Sequence, residues 1–340
     1  MKNTSVMAGA FVICAAVALA ANWALRAQER APLQLTATIR LPDVHGRIDH
    51  FDMDLAGKRL FMSALGNNTV EVFDIAGNKR IHTIRGLHEP QGVTFVQSAS
   101  RIFVANGDDG VVRIFDGKSY QMLKSVHLAS DADDTRLDAA KQQVYAGYGD
   151  KGNAGLAIFD GATGNELGTI PLPAHPEGFQ LEQKGARIYV NVPEANNVIE
   201  VVDRSARKIV ATWKLGGAED NFPMALDEAD HRLFVVCRTP AELLALDTNS
   251  GRVLAKIPSV EHADDVWYDA ANKRIYVSGG QGFITVIAQE DADHYRRVAE
   301  FKSAEGGRTS LLAPELGKLF LGVWGQNGHP EELRVYHVQP

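Results

Sequence analysis

RIFVANGDDGVVRIFD, Arg101 to Asp116, reads as two short runs rich in Val, Ile and Phe, joined by a Gly/Asp turn. Such runs bounded by turn residues are the mark of paired strands. The first run recurs along the whole chain as KRLFMSA, SRIFVAN, QQVYAGY, ARIYVNV, HRLFVVC, KRIYVSG and KLFLGVW. Aligning these places Arg59, Arg101, Gln143, Arg187, Arg232, Arg274 and Lys318 in one column, with steps of 42, 42, 44, 45, 42 and 44 residues. A period of this size, built from short strands, predicts radial repetition of four-stranded sheets.

Each unit reads the same way. A turn rich in Gly, Asn or Asp follows the first quoted run, and a second run then closes on Asp74, Asp116, Asp160, Asp203 or Asp247. That Asp begins the next turn, where its carboxylate can accept from nearby backbone N–H groups. Units six and seven carry Ala288 and His337 there instead. A fourth strand follows, as in KRIHTIRGL, GNELGTIPLP and RKIVATWKLG, whereas the last unit ends at ELRVYHVQP without one. The segment LQLTATIRLP, Leu33 to Pro42, has the fourth-strand pattern and stands alone before unit one. The expected fold is therefore all-β, a seven-bladed β-propeller of four-stranded antiparallel blades over residues 33–338. Its N-terminal strand completes the last blade, which removes the open edge.

The stretches Arg101 to Asp116 and RIYVNVPEANNVIEVVDRSARKIVATWKLG, Arg187 to Gly216, resemble the YVTN-type, YncE-like seven-bladed propellers of exported bacterial proteins, a WD40-like repeat architecture. The resemblance spans roughly residues 33–338. It implies a periplasmic, non-catalytic binding or scaffold propeller. The alternative is a metal-dependent lactonase-type hydrolase or lyase, since propellers host binding modules and enzymes alike.

Composition supports both the fold and the location. A hydrophobic share of 45% with Gly 31 and Pro 13 suits a sizeable core and many turns. The segment MKNTSVMAGAFVICAAVALAANWALRA, residues 1–27, reads as a secretory signal peptide with an apolar stretch and a small-x-small cleavage signal, or as an uncleaved anchor. Its removal takes away Lys2 and Arg26 and no acid, leaving 33 basic against 42 acidic residues, a balance of −9. A net negative chain without a basic groove is a poor nucleic-acid binder. The expected partners are thus a small molecule or a periplasmic protein, with membrane contact only through the N-terminal segment, and the chain is expected to be monomeric. Cys237, inside LFVVC, reads as a buried structural thiol. GDKGNAG reads as a hairpin, and the chain holds no Ser elbow, HExxH or CxxCH.

A repeat identifies its own exceptions, because positions that recur are structural and polar residues that do not recur carry separate roles. The entry to each unit's first strand crowds around one channel mouth. One column there runs Asp49, Gln91, Asp133, Glu177, Phe222, Asp264, Arg308, and the next runs His50, Gly92, Asp134, Gly178, Pro223, Asp265, Thr309. Two residues on come Asp52, Thr94, Arg136, Gln180, Ala225, Trp267 and Leu311, and two before the first column come Arg47, Glu89, Asp131, His175, Asp220, His262 and Gly306. The candidate ligand-binding mouth is then Arg47, Asp49, His50, Asp52, Asp133, Asp134, Arg136, His175, Glu177, His262, Asp264, Asp265, Trp267 and Arg308. It reads as an acidic, His-bearing funnel in which Arg47, Arg136 and Arg308 stand as lone cations. Units three and six, carrying DADD and HADD, would face each other across the axis. Asp134, His262 and Asp265 could hold a divalent ion such as Ca²⁺, Mg²⁺ or Zn²⁺, and crowded carboxylates beside a histidine could do acid/base work. Residue by residue, the competing reading is that each Asp caps its own turn and pairs with an Arg of the next blade.

Overall fold

The structure is a computed structural model describing residues 31–325 and 330–339; the expected signal segment lies outside these residues. Seven antiparallel four-stranded sheets form the blades of a ring. Blade one holds β2 (Phe51–Asp54), β3 (Arg59–Ala64), β4 (Thr69–Asp74) and β5 (Lys79–Ile84). Blade two holds β6 (Pro90–Val96), β7 (Arg101–Asn106), β8 (Val111–Asp116) and β9 (Met122–His127). Blade three holds β10 (Thr135–Asp138), β11 (Gln143–Asp150), β12 (Asn153–Asp160) and β13 (Glu166–Leu172). Blade four holds β14 (Phe179–Leu181), β15 (Arg187–Val192), β16 (Val198–Asp203) and β17 (Lys208–Lys214). Blade five holds β18 (Glu219–Asp227), β19 (Arg232–Thr239), β20 (Ala241–Asp247) and β21 (Val253–Pro258). Blade six holds β22 (Ala263–Asp269), β23 (Arg274–Gly279), β24 (Phe283–Gln289) and β25 (Tyr295–Lys302).

Blade seven draws on both ends of the chain. Its strands β26 (Thr309–Ala313), β27 (Lys318–Val323) and β28 (Glu332–Val338) are joined by β1 (Leu33–Arg40) in the order β1-β28-β27-β26. The register runs from Leu33 opposite Val338 to Arg40 opposite Glu332. In blades one to six the fourth strand pairs with a bulge at one equivalent position, as between Val72 and Phe73, between Ile114 and Phe115, or between Val286 and Ile287. The strand β1 carries the same irregularity between Leu35 and Ala37. A bulge adds local twist, so β1 repeats the geometry of the other outer strands and closes the ring as the sequence predicts.

The core is divided into wedges between blades. Each of seven buried apolar clusters draws on two neighbouring blades, for example Phe61, Val72, Val93, Ile102 and Phe115 between one and two, or Tyr276, Val286, Leu312, Leu319 and Tyr336 between six and seven. Burying one such side chain stabilises by about 1.5–3 kcal/mol. The second strand of each blade is buried almost throughout, as in the pattern iBBBBB of RIFVAN, because it packs a neighbour on both faces. The closing Asp of the third strand does cap its turn: Asp116 Oδ1 accepts from Lys118 and Ser119 N–H, and Asp247 Oδ1 from Asn249 and Ser250 N–H. GDKGNAG is a hairpin, with Asp150 opposite Asn153 and Gly152 at φ +92°. Cys237 is fully buried, and burial pushes its thiol up to about 12.

Four arginines of the column prove to be latches between blades, whereas Arg101 bonds within its own blade, to Ala99 O, Ser100 O and Asp116. Arg59 donates to Gly117 O (2.5 Å), Arg187 to Thr248 O (2.8 Å), Arg232 to Ala292 O (2.8 Å) and Arg274 to Gln339 O (2.6 Å), each reaching the turn that follows the third strand of the next blade. Blade three has Gln143 in the column, and there the latch runs backwards. Arg204, in the corresponding turn of blade four, donates to Asp138 Oδ2 of blade three at 2.8 Å and to the carbonyls of Glu182 and Gly185.

Candidate functional site

The first strands of the blades form the innermost ring, where β2 touches both β6 and β26. Just ahead of these strands the chain enters from the rim, and a partly enclosed cavity of about 30 Å³ opens at their mouth. In the column of His50, glycine recurs as Gly92 and Gly178 because the next blade's backbone passes there. A Cβ on Gly92 would sit 2.4 Å from Asp133 O, and one on Gly178 2.7 Å from Phe222 O. The remaining members of the column project side chains instead.

Acids of blades three and six line one cavity. Asp133, Asp134, Asp264 and Asp265 all border it, together with Arg47, His50, Arg136, Glu177 and, on an apolar side, Phe222, Met224, Val266 and Trp267. His50, at the entry of blade one, reaches blade six: its Nδ1 lies 3.6 Å from Asp265 Oδ1, and its Nε2 lies 3.9 Å from Oδ1 of its neighbour Asp49. Asp265 Oδ2 accepts from Ser310 N–H at 2.7 Å, and Trp267 Nε1 donates to Ser310 O at 3.1 Å, so blade six is tied to blade seven here.

The arginines are not lone cations. Arg47 pairs with Asp49 at 2.9 Å, Arg136 pairs closely with Asp134, and Arg308 lies 2.5 Å from Asp264 Oδ2. The local pairs Arg47–Asp49 and Arg136–Asp134 each join residues two apart where the chain enters, or is about to enter, the first strand of its blade. Sequence reasoning missed Arg238, which donates to Asp264 Oδ1 at 2.5 Å and to Ala263 O, and stacks on the Phe222 ring with its guanidinium carbon 3.6 Å from the centroid. The signal was present, for Arg238 is the single cation in a column of Leu65, Gly107, Gly149, Pro193, Gly280 and Trp324.

Asp52 does not face the cavity as a free acid. Its two oxygens accept from Met53 N–H at 2.7 Å and from Phe95 N–H of blade two at 2.5 Å, and burial raises it to about 6. Asp52 thus ties β2 to β6 of the next blade, a structural role that is neither a turn cap nor an arginine pair. The two histidines of the HPEG and HADD entries also part company. His175 precedes a proline, which holds it in extended backbone, and its buried ring bonds Gly149 O at 2.7 Å and Asp133 Oδ2 at 3.5 Å. His262 sits at φ +53°, a left-handed bend that turns it to the surface beside Glu305, Arg308 and Trp324. The trio Asp134, His262 and Asp265 is therefore split: the two acids line the cavity and His262 borders a separate hollow. Among the described residues no group of three or more His, Cys, Asp or Glu side chains is placed to hold a metal ion.

The electrostatics follow from burial working against close opposite charges. Burial opposes charge on His50, yet Asp49 and Asp265 outweigh it and raise its pKa well above the usual imidazole range. Burial likewise opposes His175, and the hydrogen bond to Asp133 with the charge of Asp131 pushes it up to about 10. For Asp133 the hydrogen bond with His175 and the charges of His50 and Arg47 prevail over burial and lower it. Burial raises Asp49 and Asp134 despite their arginines. Glu177 has no ion pair among the described residues; burial first, then the charge of Asp133, push it up to about 8. Counting the charged side chains that line the cavity, those ion-paired to them, and Asp131, which joins the network one step further out through His175, the acids are Asp49, Asp131, Asp133, Asp134, Glu177, Asp264 and Asp265. Facing these seven carboxylates are four guanidiniums, Arg47, Arg136, Arg238 and Arg308, and two imidazoles, His50 and His175. The mouth is thus close to balanced, where the sequence suggested an acidic funnel.

Comparisons with known proteins agree with the architecture. The chain is 28% identical over 200 residues to proteins named uncharacterized protein YncE from Salmonella typhi and Salmonella typhimurium, covering 57% of this chain and 55% of theirs. It is 33% identical over 87 residues to the YncE protein of Escherichia coli K12, a quarter of each chain. The chain spans about half the length of the relatives it matches. No family model matches. Among solved structures, Kuenenia stuttgartiensis hydrazine synthase superposes with a TM-score of 0.76 at 13% identity, covering 88% of this chain and 97% of that one. A chain of the mitotic checkpoint complex superposes at 0.73 and 12% identity, covering 90% and 92%. At such identities the structures share a fold and nothing more. Sequence relatives and the seven-bladed ring together support a YncE-like propeller.

Proposed function

We propose that this YncE-like propeller is an exported, non-catalytic binding module that seats a small ligand, or one group of a protein partner, at its central channel mouth. One observation carries the reading. Asp134 lines the cavity at 1% exposure, and its Oδ2 is buried without a hydrogen-bond partner. A buried polar atom left unpaired costs about 1–3 kcal/mol, a cost that a bound donor relieves. The surrounding side chains are held by one another, by Ser310 and by Phe222, so the site is preorganised for binding.

The test is a thermal-shift screen of small cations, anions, sugars and divalent metals against the wild type and the Asp134→Asn protein. Binding predicts a ligand that raises the melting temperature of the first and not the second. Stoichiometric metal by elemental analysis, lost in Asp265→Asn, together with hydrolysis of a lactone, would replace this reading with the metal-dependent hydrolase. Fractionation of the host cell checks export, with the chain expected in the periplasm.

A further inference from the structure

We propose that the mouth cavity takes a protonated nitrogen of ammonium size, the head of a small primary amine, with Asp134 Oδ2 as its acceptor. The inference rests on the binding reading above and names its ligand class. Three observations converge on it.

Size comes first. A cavity of about 30 Å³ has room for two or three waters, since about 10–15 Å³ suffices for one. It admits an ammonium group and excludes a trimethylated nitrogen or a ring. Chemistry comes second. Three lining side chains carry a buried atom without a hydrogen-bond partner: Arg47 Nε, Asp134 Oδ2 and Asp264 Oδ2. Asp264 Oδ2 lies 2.5 Å from Arg308 Nε, the other oxygen of Asp134 is committed to Arg136, and Asp134 Oδ2, a carboxylate oxygen and an acceptor only, calls for a ligand that donates.

Charge is the third. Seven carboxylates against six basic groups leave the network one positive charge short when every group is ionised. In the free protein the deficit is met by a proton on Glu177, whose neighbours are Asp133, Asp264, His175 and Arg238. A monovalent cation fills the same deficit, and Glu177 gives up its proton in exchange. A divalent ion would overshoot by one charge. The wall of Phe222, Met224, Val266 and Trp267 then lies where the alkyl part of an amine would leave the cavity.

Titration calorimetry with methylammonium chloride at fixed ionic strength tests this, with tetramethylammonium, potassium, calcium and acetate as separate arms. Saturable 1:1 binding of methylammonium is expected, with ammonium binding as well and tetramethylammonium silent. Affinity should rise about tenfold from pH 7 to pH 9, because Glu177 goes from mostly protonated to mostly ionised while an alkylamine stays charged. Asp134→Asn should abolish binding. Should that variant misfold, Glu177→Gln serves: it should lose the pH dependence and bind about tenfold more weakly than wild type at pH 9. Equal responses to methylammonium, tetramethylammonium and potassium overturn the proposal as an ionic-strength effect. Binding of calcium or acetate in place of methylammonium, sensitive to Asp134→Asn, overturns the amine and leaves the binding mouth standing. Silence of every arm, here and in the thermal-shift screen, overturns both.

Discussion

The arginine latches and the charged mouth are built from the same residue types on the same seven blades, yet they obey opposite rules. At four latches an arginine of one column reaches one kind of acceptor, a turn carbonyl of the next blade, at 2.5–2.8 Å. At the mouth acids recur in some units and not in others, and acids and bases meet in pairs that differ from blade to blade. Repetition solves the problem every blade shares, which is attachment to its neighbour. Variation leaves a single asymmetric cavity, which attachment does not need. Mutations should therefore lower stability at the latches and alter binding, or even raise stability, at the mouth.

The largest effect should come from removing residues 33–42. This deletes β1, bares the edge of β28 and opens the ring, so a chain without a cooperative melt, aggregated on a sizing column, is expected. A sharp, monomeric melt would show that six blades and a fragment hold without closure. Next is Arg204→Ala, which leaves Asp138 charged and buried at 3% exposure. A loss of about 3–5 kcal/mol in denaturant unfolding is expected, against about 1–3 kcal/mol for Arg187→Ala, whose acceptor is a neutral carbonyl.

Glu177→Gln should carry the opposite sign. The folded pKa of Glu177 is raised from 4.5 to about 8, so the folded state holds the proton more tightly and stability falls as pH rises from about 4.5 to about 8. Gln removes that loss, and above pH 8 the variant should be more stable than wild type by on the order of 1–3 kcal/mol. His175 contributes stability that is complete below 6.5 and lost as pH rises through about 10. Wild-type unfolding curves should therefore weaken progressively on the alkaline side. A variant less stable than wild type at pH 9 would place Glu177 with the latches. The smallest effect is that of His262→Ala, on an exposed bend, expected within about 0.5 kcal/mol.

The ring was legible in the sequence because its cause is periodic: one arginine column, one closing Asp and one unpaired fourth strand suffice to count blades and close them. The mouth was half legible. Columns found Asp133, Asp134, Asp264 and Asp265, since acids that break a repeat stand out. They did not show that each nearby arginine already had an acid, because pairing depends on which way a side chain leaves the strand. They misplaced His262, whose left-handed backbone carries it outward, while Pro176 after His175 was a readable sign that this histidine behaves differently. Arg238 escaped because it lies at the end of the second strand and not on the first, where its side chain stacks over Phe222.

The pairing of Leu33 with Val338 also sets a timetable. On the ribosome, blades one to six can assemble as they emerge, each needing only the forty-odd residues just made. The seventh must wait for β28, 299 residues after its partner as counted from Thr36 to Val335. Until then β1 is a strand without a sheet, and the outermost wedge of core stays wet. A circular permutant that begins at Gly86, in the turn between blades one and two, would make every blade locally and should reach its native form sooner.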